Sequence, residues 1–546
     1  MDRKFFFSKS QSVAFEKKTL KRENMASAER TIIVNGEPIN YYVQLAVWIG
    51  NIIEFYDFSI YASLADVIGD NFFPSSNNSM SLIKSLAVFG SAMLCRPIGG
   101  LLLGTIGDLT GRKRALEVSI LMMLLPSFMI GILPTYHMIG YPATVILVLM
   151  RLLQGVAVGG EVIGAFIITV ESSKSNKSLL GSLCKASTCF GSAIGMIVCL
   201  LIRELLPRSH FERYGWRIPF LLSAVFALIG YYVRSNLQYN EIPNHYIDDD
   251  EVAVLQSTNP IASFNRLPIS SPNMSIIIGS QKLVPFVDIE TKPTTAKDII
   301  IRGLRRHWRD VLLVIAVSSF WIVCYYTCFI WIQYYLSVFT STSHTWVITV
   351  LMMLLLVICI PIAGYSADIL NKYHYESTDA GMGNVLLMKI SIVIMLALVV
   401  PAFGLMNTNT VKGAVLAQLI FTVSLALYGA TLPSFIVHRF TKTMRYTILG
   451  ISYNISNAIF AGTISVIQLS LVLSGDHQAT GTSLTDFVIT SSMLKNDGRY
   501  RPCYYVMAIG VFAMLSLLYW LPHCNDMRYN RHKLRSIEDA LDAFDI

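Results

Sequence analysis

Twelve apolar segments of about 20 residues or more recur along this chain, and a segment of that length can cross a bilayer as one helix. With soft boundaries they run over 41–68, 81–104, 115–134, 143–170, 180–205, 217–235, 309–339, 345–364, 385–406, 412–437, 447–474 and 502–522. Backbone polar groups must be satisfied internally in lipid, so repeated spans of this length read as helices. The expected fold is therefore an all-α polytopic membrane protein with twelve transmembrane helices. Composition agrees, since only 14% of the 546 residues are charged and 53% are hydrophobic. An average soluble domain carries about 25% charged residues. The nine cysteines are scattered, mostly in apolar segments, and none forms a Cys-x-x-Cys pair. They read as buried free thiols, and no metal or cofactor site is expected.

The formal charge of +8 matters through its placement. With the N-terminus inside, the even-numbered connections hold Arg112, Lys113 and Arg114, then Lys174 and Lys177, then Lys372, then Arg439, Lys442 and Arg445. The outer loops after the first and third spans hold no lysine or arginine, although Arg208, Arg213, Arg217, Arg499 and Arg501 fall outside. The bias places both termini in the cytoplasm. It gives no support to nucleic-acid binding. The Phe5-Phe6-Phe7 run is too short for a signal-peptide core, which needs about 7–15 apolar residues. The expected division is a cytoplasmic tail over 1–40, a six-helix bundle over 41–235, a cytoplasmic linker over 236–308, a second six-helix bundle over 309–522 and a cytoplasmic tail over 523–546. The linker ends in a basic segment of helical character, Lys297 to Arg309.

An internal repeat supports two pseudo-symmetric halves. After the second span the chain reads Gly104-Thr-Ile-Gly107-Asp108-Leu-Thr-Gly111-Arg112, and after the eighth it reads Gly364-Tyr-Ser-Ala-Asp368-Ile-Leu-Asn371-Lys372. Glycine to aspartate, and aspartate to basic residue, are four residues in both. Two six-helix halves with a matched loop are a transporter pattern, with the site between the halves near mid-membrane. Inside the first span, Asn51, Glu54, Asp57 and Tyr61 fall on one helical stripe. An ionised carboxylate at that depth costs several kcal/mol unless it faces a partner or water.

These motifs resemble the major facilitator superfamily, whose loop between spans two and three reads Gly-x-x-x-Asp-x-x-Gly-Arg-Arg/Lys. Within it the chain is similar to the metabolite:proton symporters, which include proline/betaine, α-ketoglutarate, citrate and shikimate carriers. The resemblance is carried by Gly50-Asn51 through Pro74, Arg96-Pro97-Ile98-Gly99-Gly100, Arg151-x-x-Gln154-Gly155-x-x-x-Gly159-Gly160-Glu161, Gly215-Trp216-Arg217-Ile218-Pro219-Phe220, and Arg445-Tyr446 with Tyr453-Asn454. It departs at Asn371-Lys372, which replaces the terminal glycine–arginine pair in the second half, at Phe440-Thr441, and at Lys185 in the fifth span.

The resemblance implies a secondary transporter working by alternating access: proton-coupled symport of a small polar solute, either a proline/betaine-type zwitterion or an organic acid. It further implies a bacterial cytoplasmic (inner) membrane. A proton-independent facilitator and a transporter-like sensor of the same fold are the alternatives. No His-Glu-x-x-His, Gly-x-Ser-x-Gly or phosphate-binding glycine loop marks an enzyme. Glu54, Asp57 and Glu161 are the proton-coupling candidates, weighed against fixed ion pairs that only hold helices together. Asn51, Tyr61, Arg96, Gln154, Lys185, Tyr453 and Asn454 are the solute-binding candidates. Arg96 needs a carboxylate from Asp57, Glu54, Glu161 or the solute. Lys185 favours an anionic solute if it is charged and faces the cavity. Trp321, Tyr325 and Tyr326 form an aromatic cluster suited to a quaternary ammonium or to packing. Gly104, Asp108, Gly111, Arg112 and Arg445 make the cytoplasmic gate that the resemblance implies. The expected partners are the solute, protons and the bilayer, with the chain a monomer.

Overall fold

The computed structural model describes residues 31–34, 37–74, 78–172, 176–236, 296–339, 344–373, 381–441, 444–473 and 500–521. The expected tails are outside this set except for 31–34 and 37–40, and so is most of the expected linker. Thr31–Val34 and Glu37–Asn40 pair as an antiparallel hairpin with Ile32 opposite Ile39. The tail reading missed it. The β-branched run Thr31-Ile-Ile-Val34, followed in sequence by Asn35-Gly36, is the signal that marks it.

The helices, in chain order, are α1 Tyr41–Ser63, α2 Asn78–Thr110, α3 Arg112–Ile132, α4 Tyr141–Glu171, α5 Lys177–Leu205 and α6 Arg217–Asn236. The second set is α7 Ala296–Tyr326, α8 Thr345–Tyr373, α9 Met382–Met406, α10 Val411–Val437, α11 Arg445–Ser456 and α12 Arg501–Leu515. Short pieces prolong several of them. Ala65–Phe72 follows α1, a π-helical turn Thr327–Trp331 and the helix Ile332–Phe339 follow α7, and Asn457–Ala461 and Gly462–Leu473 follow α11. α7 starts at Ala296, inside the expected linker, and bends at His307, where φ is −116° and ψ is 16°.

By length and hydropathy, nine helices among the described residues are fit to cross a membrane, and the bent pair Arg208–Gly215 with Arg217–Val233 makes a tenth. The other two of the expected twelve are α1 and α11. α1 carries Asn51, Glu54 and Asp57 within its apolar run, and α11 continues through a π turn, Asn457–Ala461, into Gly462–Leu473.

Packing repeats between the halves. In the first, α2 packs on α4, α1 on α5 and α3 on α6. In the second the equivalent pairs recur as α8 on α10, α7 on α11 and α9 on α12. The halves join chiefly through α5 with α8 and α2 with α11, which are equivalents as well, and further through α5 with α10 and α4 with α11, again an equivalent pair. Small residues let α2 and α4 touch backbone to backbone. A Cβ on Gly155 would stand 1.9 Å from the carbonyl oxygen of Ala92. No rotamer relieves a clash with backbone, so Gly155→Val should cost about 3 kcal/mol or more. The expected result is lost yield and a lowered Tm in detergent; an unchanged Tm would show that α2 and α4 separate without penalty.

Candidate functional site

The stripe on α1 is real but it does not face one partner. Asn51 turns to α5, its Nδ2 donating to Cys184 Sγ at 3.2 Å and to Ser187 Oγ at 3.3 Å. Glu54 lies beside Glu161 in the wall of a cavity inside the first half, with Ser119, Met123, Val158 and Ala227. Ser119 Oγ donates a short hydrogen bond to Glu161 Oε2. Asp57 faces α4 and α6, where Oδ2 accepts from Gln154 Nε2 at 2.5 Å and Oδ1 accepts from Ser223 Oγ at 2.8 Å. Gln154 Oε1 in turn accepts from Arg151 Nη1 at 2.6 Å. Tyr61 donates to the Ser85 carbonyl and lies beneath the Arg151 guanidinium, 4.1 Å from its ring centre. Asp57, Gln154 and Arg151 are all fully buried. The carboxylate is thus buried one amide away from a buried guanidinium.

Next to this relay, between the halves, lies a chamber walled mainly by aromatic rings. Phe55, Phe58 and Ser59 come from α1, Phe89 from α2, Ser192 and Met196 from α5, and Tyr325 and Tyr326 from α7. Tyr325 donates to Ser192 Oγ at 3.0 Å, which fixes one wall across the two halves. The rings are braced from behind. Tyr325 stacks on Trp321 at 5.5 Å, and Phe89 lies 6.1 Å from Tyr326. Helical spacing brings Tyr325 and Tyr326 into the chamber, while Trp321 packs behind them and covers Lys185.

Four candidates have other surroundings. Arg96 Nε donates to Asn454 Oδ1 at 3.2 Å, so its partner is an amide on the opposite half where a carboxylate was expected. Asn454 Nδ2 donates on to the Gly159 carbonyl, tying α2, α4 and α11 together. The Lys185 ammonium rests 4.2 Å from the Trp321 ring and 5.7 Å from Phe166. Tyr453 packs edge-on against Phe166 at 6.1 Å, away from the chamber lining.

Contacts between the halves close both ends of the bundle. At the end where α2 meets α3, Asp108 Oδ2 accepts from Thr447 N at 2.9 Å and Thr447 Oγ1 at 2.6 Å, capping the first turn of α11. Asp368, its repeat equivalent, accepts from Ser178 N at 3.0 Å and Leu179 N at 2.8 Å, capping the first turn of α5. Each carboxylate meets the positive end of a helix in the other half. Arg445 pairs closely with Glu171 across the same end. Tyr446 fills a slot of glycines, because a Cβ on Gly107 or Gly164 would fall 2.2 Å or 2.3 Å from its ring or hydroxyl, and it donates to the Gly160 carbonyl at 2.9 Å. Gly104 gives room to the Thr447 backbone, and Gly111 joins α2 to α3 at a φ of 108°. The side chain of Arg112 lies outside the described residues. At the far end Tyr334 donates to the Ala62 carbonyl and packs with Ala65 and Leu86. Arg203, paired with Asp66 at 2.9 Å, lies 5.2 Å from the Trp346 ring of the second half.

The comparisons match this architecture. Residues 47–466 fit the family model described as Major Facilitator Superfamily. The chain belongs to the Major Facilitator Superfamily. It is 28% identical to the proline/betaine transporter of Salmonella typhimurium, over 86% of this chain and 81% of that one. It is also 28% identical to the glycine betaine/proline/ectoine/pipecolic acid transporter OusA of Dickeya dadantii, over 87% of this chain and 82% of that one. The solved proton:xylose symporter XylE shares the fold with a TM-score of 0.60 at 13% identity, covering 88% of this chain and 95% of that one. As a member of this superfamily the chain is an integral membrane solute transporter, not an enzyme.

Within that fold, several residues at the site were not among the coupling, binding or gate candidates taken from sequence. Arg151 had a signal, its position three residues before Gln154 in the fourth-span motif. Asp368 had one as well, in the loop repeat. Ser223, Phe58, Phe89 and Ser127, whose Oγ accepts from Gln154 Nε2 at 3.0 Å, had none, since serines and phenylalanines are common in apolar helices and only tertiary packing brings these four to the site.

Proposed function

We propose that the chain is a proton-coupled symporter for a small zwitterionic solute of the proline or glycine betaine kind, with both termini in the cytoplasm of a bacterial cell. The aromatic chamber carries this reading. Five rings around one space favour a cationic head that cannot donate many hydrogen bonds, through cation–π attraction. A di- or tricarboxylate would find no comparable attraction against those ring faces. The names of the relatives point the same way.

Asp57 is the leading proton carrier, because it alone of the three candidates is linked by Gln154 to a guanidinium beside the chamber wall. Glu54 and Glu161 form a second acidic site within the first half. In alternating access, the contacts of Asp108, Asp368, Arg445 and Tyr446 serve as the cytoplasmic gate, and those of Tyr334 and Arg203 as the outer one. Arg96 with Asn454 holds the halves together between them.

Proteoliposomes carrying an internal pH dye test the reading. Proline or glycine betaine is expected to acidify the interior, whereas α-ketoglutarate, citrate and shikimate are not. Zwitterion uptake without acidification would leave a facilitator, and acidification by a dicarboxylate alone would overturn the choice of solute.

A further inference from the structure

Arg151 uses only one corner of its guanidinium within the protein. Nη1 donates to Gln154, while Nε and Nη2 meet no acceptor among the described residues, although the side chain is fully buried. Buried charged donors are costly to leave unmade. Part of that cost is offset by ring faces, with Tyr61 at 4.1 Å, Phe58 at 5.1 Å and Phe89 at 5.6 Å from the guanidinium carbon. A ring face satisfies charge but not the in-plane direction of an N–H group.

Another arginine in the chain shows the contrast. Arg203 Nη2 reaches both oxygens of Asp66, at 3.0 Å and 2.9 Å, so a protein carboxylate occupies that nitrogen. In Arg151 the two remaining donors lie on one edge of a planar group, the edge that takes both oxygens of a carboxylate side by side. That guanidinium lies against Phe58 and Phe89, which are themselves walls of the aromatic chamber.

Resting on the zwitterion reading above, we propose that the Nε–Nη2 edge of Arg151 receives the solute's carboxylate, while the solute's ammonium occupies the aromatic chamber. The arginine then determines specificity: it separates a zwitterion from a plain quaternary ammonium of the same head group.

Glycine betaine and choline supply the test, because they share a trimethylammonium head and only the first has a carboxylate. Calorimetric titration of the full-length protein in nanodiscs measures both. The wild type should bind betaine about 30-fold more tightly than choline, the worth of a paired charge-assisted contact. Arg151→Lys keeps the charge and loses the planar edge, and Arg151→Gln loses both. Each should weaken betaine by about 30-fold and leave choline within about 3-fold of wild type. Arg96→Gln and Lys185→Gln should keep the wild-type ratio. Betaine affinity unchanged in both Arg151 variants overturns the assignment. So does equal loss of both ligands in variants that melt like wild type, or a ratio that collapses in the Arg96 or Lys185 variant instead. Should neither Arg151 variant fold, equal wild-type affinities for betaine and choline would still overturn it, and a retained ratio in both control variants would support it. Absence of binding by betaine, proline and choline to the wild type is a separate failure, that of the zwitterion reading itself.

Discussion

Asp57→Asn should abolish uphill uptake while sparing exchange. A proton entering down 100 mV contributes about 2.3 kcal/mol, enough to hold a co-transported solute at about 50-fold accumulation. The substitution preserves size, so the packing of α1 against α4 and α6 survives. It removes the one group in the relay that can gain and lose a proton. Ser223 can still donate to the new amide oxygen, whereas Gln154 must turn or lose its bond, since its Nε2 then faces the amide nitrogen, another donor. Accumulation in proteoliposomes driven by an imposed potential should fall from about 50-fold to unity. Counterflow of labelled solute, which needs no net proton movement, should continue. Accumulation that persists in Asp57→Asn would move the coupling role to the Glu54 and Glu161 site.

Removing both gate caps should have the next largest effect. In Asp108→Ala with Asp368→Ala, the first turns of α11 and α5 each lose a carboxylate that bridges the halves. A charge-assisted cap of this kind is worth about 2 kcal/mol, so the pair contributes about 4 kcal/mol, or about 10³-fold in the ratio of closed to open gate. Spin labels at Leu109 and Lys372, on opposite halves at this end, should report a longer distance in the double variant than in the parent. Each single variant should move the distribution part-way. A distribution unchanged by the double substitution would show that Arg445 with Glu171 and the Tyr446 slot hold the gate without help.

Much of this was legible in sequence because membrane insertion enforces a strong signal. Apolar length marked the spans, and the matched Gly104–Arg112 and Gly364–Lys372 loops marked the two halves. The superfamily followed from motifs that sit where helices must approach closely or cap one another. The division of labour along α1 was not legible. Spacing placed Asn51, Glu54, Asp57 and Tyr61 on one stripe, but a stripe one helix wide meets several neighbours in a bundle. Which neighbour each residue meets depends on packing across more than a hundred residues of chain, as Asp57 with Ser223 shows. Arg96 was expected to meet a carboxylate of Asp57, Glu54, Glu161 or the solute; within the protein it meets the Asn454 amide, on α11, whose partner in space the sequence does not name. The hairpin at Thr31–Asn40 was overlooked for a simpler reason: its signal is local and short, inside a stretch of polar and basic character.

The aspartate caps also bear on how the transporter tolerates change. Of the four hydrogen bonds described above for Asp108 and Asp368, three end on backbone N–H groups, of Thr447, Ser178 and Leu179. Main-chain donors are supplied by every residue except proline. The receiving positions are therefore free to drift in identity, and the aspartates are not. A latch built this way needs no compensating substitution on its far side, which is how the second-half loop can give up its glycine–arginine pair and still close on α5.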